Sequence, residues 1–445
     1  MADNPFFHRG PIRDAAYFCG RQQETQQISG LLRTSQSVSV VGPRRIGKTS
    51  LLYHLAAPAV RAANRMLAPQ YVMASIDAQG AGQSSTNEVL AMFVDALRDA
   101  LSQCQLDTRT ADRAHSTEYH SLDVTLKWLS QRGTAVAFLV DEFELLAANH
   151  NLDPTFFSGL RGLASRYSVS YLAASHRPLI SLVYADGSVL SSPFFNIFVT
   201  VPLGMLDDQG ARNLLDTLLS KAQVRWPEPV LQSVLDLAGP HPFFLQMAAY
   251  HAFELMQSTA RWNEQATMQL KELFYAEAQP HYQYAWRNLT DEEQHALANL
   301  AISQSDPTAL EALRQLQQQC LILRSDSGYR YVSSSLQRFV RTQSVEHLLQ
   351  AGPFVIDFRQ RIVTDEHEII PLTRTQFDLL ACLALHQGHV VTAQELERSV
   401  WRDQYVEDPE RLKAAIKHLR RALGARGDWV VNERGVGYAL RAKGA

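Results

Sequence analysis

The stretch Ser37-Val38-Ser39-Val40-Val41-Gly42-Pro43-Arg44-Arg45-Ile46-Gly47-Lys48-Thr49-Ser50-Leu51-Leu52 decides the fold of this chain. Residues 37–41 read as a buried strand, and Thr49 to Leu55 opens a helix. The pattern G-x-x-x-x-G-K-[ST] from Gly42 to Thr49 therefore sits in the strand–loop–helix context that a phosphate-binding loop requires. The loop residues Gly42, Pro43, Arg44, Arg45, Ile46, Gly47, Lys48, Thr49 and Ser50 are the expected nucleotide contacts. Glycines let the backbone curl around phosphate, and the loop N–H groups and the positive end of the helix bind the anion. Lys48 neutralises the outer phosphates, and the Thr49 hydroxyl can ligate Mg2+.

Working outward, apolar runs with strand character recur at Tyr71–Ile76, Ala135–Val140, Val169–Ala174 and Asn196–Val201, separated by helical patterns. This is the rhythm of a parallel sheet with helices on both faces. The run Ala135 to Val140 ends in Asp141-Glu142, which puts one carboxylate near magnesium and the next near the water that attacks a γ-phosphate. Asp141 is the expected metal-shell residue and Glu142 the general base, with Glu144 the next carboxylate in line. Ser175-His176-Arg177, at the end of another strand, read either as polar groups that feel the γ-phosphate or as a structural turn before Pro178.

At 445 residues the chain exceeds one ordinary core, given ~100–200 residues per domain. A hydrophobic content of 46% fits a folded globular chain. The net charge of -3 confines any nucleic-acid contact to a local patch. Cys19, Cys104, Cys320 and Cys382 stand far apart, which argues against structural zinc and a disulfide framework and fits a reducing compartment. No segment approaches the ~18 uninterrupted apolar residues of a membrane span, so a cytoplasmic protein without a membrane partner is expected.

The loop and its upstream box, Tyr17-Phe18-Cys19-Gly20-Arg21, resemble the STAND branch of AAA+-related ATPases, including the archaeal-type ATPases. The resemblance implies an ATPase using ATP/ADP and Mg2+, with Phe18, Gly20 and Arg21 lying against adenine. Gly239-Pro240-His241-Pro242 is similar to the Gly-x-Pro motif of the family's helical lid, which would set Pro242 near the base with His241 beside it. A helix N-terminal turn is the alternative for His241. Arg177, or an arginine from a neighbouring subunit, would meet the γ-phosphate. Trp286 to Arg341 resembles the winged helix that follows such a lid, and begins with a capping box from Thr290 to Glu293.

After Ala351-Gly352-Pro353, which reads as a break, Leu372-Thr373-Arg374-Thr375-Gln376 opens a capped helix. A second helix ends near Trp401, and a third spans about Pro409 to Leu423 with Leu412, Ile416, Leu419 and Leu423 on one face. Its other face is basic: Arg411, Lys413, Lys417, Arg420, Arg421 and Arg426, with no acid among them. Such a run is commonly a solvated face. A hairpin with Arg434 at its tip favours DNA instead, because a wing of that kind reaches a minor groove. Phe354 to Arg441 resembles the winged helix-turn-helix domain of OmpR-type response regulators. That resemblance implies contact with double-stranded DNA through Arg411, Lys413, Lys417, His418, Arg421 and Arg434. Pro409-Glu410 departs from it by placing an acid near phosphate-facing positions.

The expected fold is an α/β P-loop NTPase domain (residues 1–203), a helical lid (204–278), a winged-helix domain (279–346) and a C-terminal OmpR-type winged helix (352–445). The expected function is an ATP-dependent switch coupling hydrolysis and nucleotide-dependent homo-oligomerisation to DNA binding in transcription regulation. An unidentified protein or ligand would supply its signal. The alternatives are a STAND signalling or antiviral protein whose last domain grips protein, and a DNA-remodelling or transposition-type ATPase.

Overall fold

The computed structural model describes residues 3–441 apart from 8, 109–116, 153, 180–192, 259–261, 299, 301–308, 326–327, 358–360, 366–367, 387, 402–408 and 434. The chain divides into two compact units, Met1–Gln337 and Arg338–Ala445.

In the first unit, β1 (Ser37–Val41), β2 (Tyr71–Asp77), β3 (Ala135–Asp141), β4 (Val169–Ser175) and β5 (Phe198–Pro202) form a parallel sheet in the order β2-β3-β4-β1-β5. The expected strands are all present. They read as continuous apolar runs because both faces of the sheet are covered. Alternate residues of β3 divide between two cores. Val136, Phe138 and Val140 pack with α3 (Thr86–Gln103), α4 (Glu118–Ser130) and α5 (Pro154–Arg166). Ala137 and Leu139 join Ile28 and Leu32 of α1 (Gln22–Arg33) and Leu51 and Leu55 of α2 (Lys48–Ala56). With β4 between β3 and β1, the carboxyl ends of all three strands lie side by side, and the functional loops leave from that edge.

Next come α6 (Asp208–Lys221), α7 (Glu228–Ala238), α8 (Pro242–Ser258) and α9 (Glu264–Arg287). The boundary expected at residues 278 and 279 falls inside α9, which passes unbroken through Pro280. The proline costs a backbone hydrogen bond, but Leu270, Phe274, Ala278 and Tyr282 keep one buried stripe on both sides of it. Packing therefore outweighs the local penalty, and the lid shares a helix with the domain after it.

That domain holds α10 (Asp291–Ala298), α11 (Leu310–Gln318) and the antiparallel pair β6 (Ile322–Ser325) and β7 (Gly328–Tyr331). The Thr290 and Glu293 capping box is formed, each residue's backbone N–H reaching the other's side chain. Gly239, with φ +62°, lies so close to this domain that a Cβ would meet the Val332 carbonyl oxygen at 2.1 Å. Ser334 Oγ donates to the Asp236 carbonyl at 2.9 Å, securing the same junction. The division between the two units falls within α12 (Ser334–His347).

The second unit begins with the antiparallel sheet β8 (Leu348–Ala351), β9 (Phe354–Asp357), β10 (Ile362–Asp365) and β11 (Glu368–Ile370). Ala351-Gly352-Pro353 is accordingly the turn of a hairpin rather than a break between domains, because β8 and β9 on either side of it are hydrogen-bonded. Three helices follow: α13 (Arg374–Leu385), α14 (Ala393–Trp401) and α15 (Pro409–Ala422). Thr373 and Gln376 form the expected capping box. Phe377, Leu380, Leu396, Ile416 and Leu419 share one core, with Trp401 at its edge. A small sheet, β12 (Val391–Thr392) with β13 (Val430–Glu433) and β14 (Gly437–Leu440), closes the unit.

Candidate nucleotide site and nucleic-acid interface

Gly47 caps α2 at φ +105°, a left-handed conformation open to glycine, and no side chain caps the first N–H groups of that helix. These donors are what an anion would take. The buried Lys48 ammonium donates to the carbonyls of Gly42 at 2.8 Å and Pro43 at 3.1 Å. Burial lowers its pKa, against the pull of Glu144, Glu142 and Asp141. Ser50 Oγ accepts the Ile12 N–H at 2.9 Å, tying the amino-terminal segment to α2.

Asp141 ends β3 and is hydrogen-bonded to the Thr49 side chain; burial raises its pKa, and that bond, the Glu142 N–H and Lys48 oppose the rise. A carboxylate beside a hydroxyl is the hard-oxygen pair Mg2+ takes from a protein when phosphates and water complete its shell, so the residues fit the ion. Glu142 follows at φ +49°, and its pKa is raised by burial and then by Glu144 and Asp141. Glu144 is buried. Burial pushes its pKa up, but its bond to His176 and the nearby charges outweigh this and leave it lowered. Its Oε1 contacts His176 Nδ1 and accepts the His176 backbone N–H at 3.2 Å. Arg177 is exposed, and its carbonyl accepts Ser175 Oγ at 2.7 Å.

The structure brings Arg21 together with the loop. Its guanidinium is 5% exposed and donates to the carbonyls of Gly204 at 2.5 Å, Ile46 at 3.5 Å and Met205 at 3.4 Å, and to Glu24 at 2.9 Å. It thus joins the phosphate loop to the connection entering the lid. Phe18 stacks on His54 at 4.3 Å, and Gly20 lies against Leu206. His241 is buried with Nδ1 unpartnered among the described residues. Burial and the nearby Arg21 depress its pKa to about 3. Pro242 is the first residue of α8.

Two contacts escaped the sequence reading. The Arg45 guanidinium lies 4.3 Å from the Phe243 ring centre, and that of Arg44 lies 5.2 Å from Tyr284. The phosphate loop is therefore stacked on rings from α8 and α9. An arginine loop and aromatic residues about two hundred positions on carry no local signal that they meet.

On α15, Lys417, His418 and Arg421 are exposed and form no ion pair among the described residues. Arg411 lies over the Trp401 ring at 4.4 Å, and Lys413 pairs with Glu410 at 2.7 Å. Arg420 is turned inward, donating from Nε at 2.9 Å and Nη2 at 2.6 Å to the Val430 carbonyl, and Arg426 bonds Asp365 at 2.8 Å. The basic run thus divides between an outward face and two structural ties. Arg434 lies outside the described residues.

A parallel sheet with a phosphate loop, an acid-tipped strand and a helical lid defines a P-loop NTPase, here followed by a winged helix-turn-helix unit. The chain belongs to the Novel STAND NTPase 2 family, whose model matches residues 26–307. Residues 366–440 match the C-terminal domain of transcriptional regulatory proteins, the OmpR-type module. A Walker-type ATPase of Pyrococcus abyssi shares the fold with a TM-score of 0.50 and 14% identity, over 75% of this chain and 99% of that one. The sensory transduction protein RegX3 of Mycolicibacterium smegmatis is 35% identical over 96 residues, 21% of this chain and 42% of that protein. The KDP operon transcriptional regulatory protein KdpE of Escherichia coli is 31% identical over 107 residues, 23% of this chain and 48% of that protein. The chain spans about half the length of these curated relatives. Among the described residues, no helix is long and apolar enough to cross a membrane.

Proposed function

We propose that this chain is a cytoplasmic ATP-dependent switch whose nucleotide state controls DNA binding, and through it transcription. The observation that carries this reading is the union, in one chain, of a STAND NTPase domain and a regulatory DNA-binding domain. Phe18, Gly20, Arg21, His241 and Pro242 flank the base, and the loop N–H groups with Lys48 hold the phosphates. Thr49 and Asp141 hold Mg2+, which supplies charge neutralisation at the phosphates when bound. Hydrolysis then needs one further group: Glu142 takes a proton from the water whose oxygen attacks the γ-phosphorus, and ADP leaves with the electron pair of the broken P–O bond.

Arg44 and Arg45 link this chemistry to the lid. A triphosphate competes with Tyr284 and Phe243 for their charge, so ATP favours release of the lid and ADP favours the stacked arrangement. Release permits homo-oligomerisation, which gathers several DNA readers and raises avidity without a new base contact. A protein or small-molecule signal sets the exchange. Genomic binding-site mapping of the wild type and a Lys48→Ala variant tests the reading. Nucleotide-dependent occupancy of discrete promoters is the expected result. Absence of any DNA occupancy would move the last domain to protein recognition, and occupancy without promoter preference would favour a remodelling ATPase.

A further inference from the structure

The loop after β3 is fastened to the end of β4. The Phe143 N–H donates to the Ala174 carbonyl at 2.9 Å, and the Ser175 carbonyl accepts the first N–H of the phosphate loop, from Gly42, at 3.2 Å. His176 therefore follows directly on the residue that touches the loop, in the crevice between Asp141-Glu142 and Lys48. Its ring nitrogen Nδ1 and its backbone N–H both engage Glu144 Oε1. Two bonds to one carboxylate oxygen fix the ring and leave Nε2 as its remaining polar atom, on a side chain that is 44% exposed. Glu144 itself is 7% exposed, and its Oε2 is buried with no hydrogen-bond partner among the described residues. An unsatisfied buried carboxylate oxygen is costly, and such groups survive mainly where function demands them.

We propose that Glu144 is a positioning residue for ATP hydrolysis: it holds the His176 ring so that Nε2 accepts a hydrogen bond from the water that attacks the γ-phosphorus. This rests on the hydrolysis reading above and adds a second orienting group to it. The water oxygen bonds to phosphorus, and the bond from phosphorus to the β,γ-bridging oxygen breaks with its electrons leaving on ADP. One proton passes to Glu142, while His176 orients the other hydrogen without taking it. Orientation of this kind acts on the chemical step and not on ATP binding. The two residues are 32 positions apart and come together only because β3 and β4 are neighbours.

The test uses the full chain and measures phosphate release together with ATP affinity for His176→Ala, Glu144→Ala, Glu144→Gln and the His176→Ala/Glu144→Ala pair. Both alanine variants are expected to lower kcat about 10- to 100-fold with ATP affinity no weaker than wild type. The double variant should lose no more than the worse single one, since the residues act as a unit. Glu144→Gln keeps an acceptor at Oε1 and should retain more activity than Glu144→Ala. Unchanged kcat in His176→Ala, a double loss equal to the product of the singles, or affinity falling in step with kcat overturns the proposal while hydrolysis stands. A wild-type chain that releases no phosphate overturns the hydrolysis reading itself, and this inference with it. If Glu144→Ala does not fold, the half-exposed His176→Ala variant decides the matter alone.

Discussion

Lys48 is a buried ammonium whose two hydrogen-bond partners are carbonyls of its own loop, so it stands ready to exchange them for phosphate oxygens. Lys48→Ala is expected to weaken ATP binding at least about tenfold, measured by equilibrium titration. Asp141→Ala removes the carboxylate beside Thr49, and magnesium-dependent turnover should vanish while the chain stays folded. Normal ATP affinity in the first variant and normal turnover in the second would dismantle the nucleotide assignment. Glu142→Gln keeps the side-chain volume but not the base, so ATP should remain bound and phosphate release should slow by about a hundredfold or more. His241 supplies a pH test. Its folded pKa of about 3 lies below the ordinary ~6.5, so the unfolded chain binds the extra proton between those values. The stability it contributes is complete above about pH 6.5 and is lost as pH falls toward 3. His241→Leu should therefore flatten the pH dependence of unfolding free energy between about pH 6 and pH 4, by up to about 1.4 kcal/mol per pH unit. Denaturation curves of equal slope for both proteins would show that the ring is reached by water.

Elements legible in the sequence are those whose signal is local. The strands announced themselves as unbroken apolar runs, and the capping boxes at Thr290 and Thr373 formed as their spacing required. The passage of α9 through Pro280 was not legible from the proline, although Leu270, Phe274, Ala278 and Tyr282 at four-residue steps carried it. Pairings between distant elements left no trace at all: Glu144 with His176, Arg45 with Phe243, and Arg420 with Val430 depend on the fold. The same limit applies to Gly239, whose local sequence says only that a helix ends. In the folded chain its left-handed backbone and its approach to Val332 make it a fulcrum between α7 and the domain after the lid. Gly239→Ala is expected to destabilise the first unit by about 1–3 kcal/mol in chemical denaturation, from backbone strain and the displaced carbonyl. A loss within about 0.5 kcal/mol, the range of ordinary surface substitutions, would mean the two domains do not hold this contact in solution.

At the scale of the whole molecule, the second unit carries its own core and its own two sheets. A fragment of residues 338–445 should fold alone. One beginning at residue 352 loses β8 and Ala351 from the core and should be less stable or unfolded, so β8 rather than the Gly352-Pro353 turn marks the minimal reader. In the 338–445 fragment Arg420→Ala should cost about 1–3 kcal/mol of stability by freeing the Val430 carbonyl, whereas the exposed Lys417→Ala should leave stability within about 0.5 kcal/mol. Lys417 is expected to act on DNA instead. Its removal should weaken binding to all duplexes and flatten the slope of log affinity against log salt by about one unit. A single reader with few phosphate contacts binds weakly, so the fragment is to be compared with the full chain plus a non-hydrolysable ATP analogue. If nucleotide gathers several chains, affinity for fragments bearing repeated sites should rise about 100-fold or more over the isolated unit, and Lys48→Ala should abolish that gain without changing the fragment's own affinity. Equal affinity for the fragment, the full chain and the ATP-loaded full chain would sever the nucleotide site from the output. Absence of duplex binding by any of them at low salt, in a selection from genomic fragments, would make Lys417, His418 and Arg421 a face for another protein.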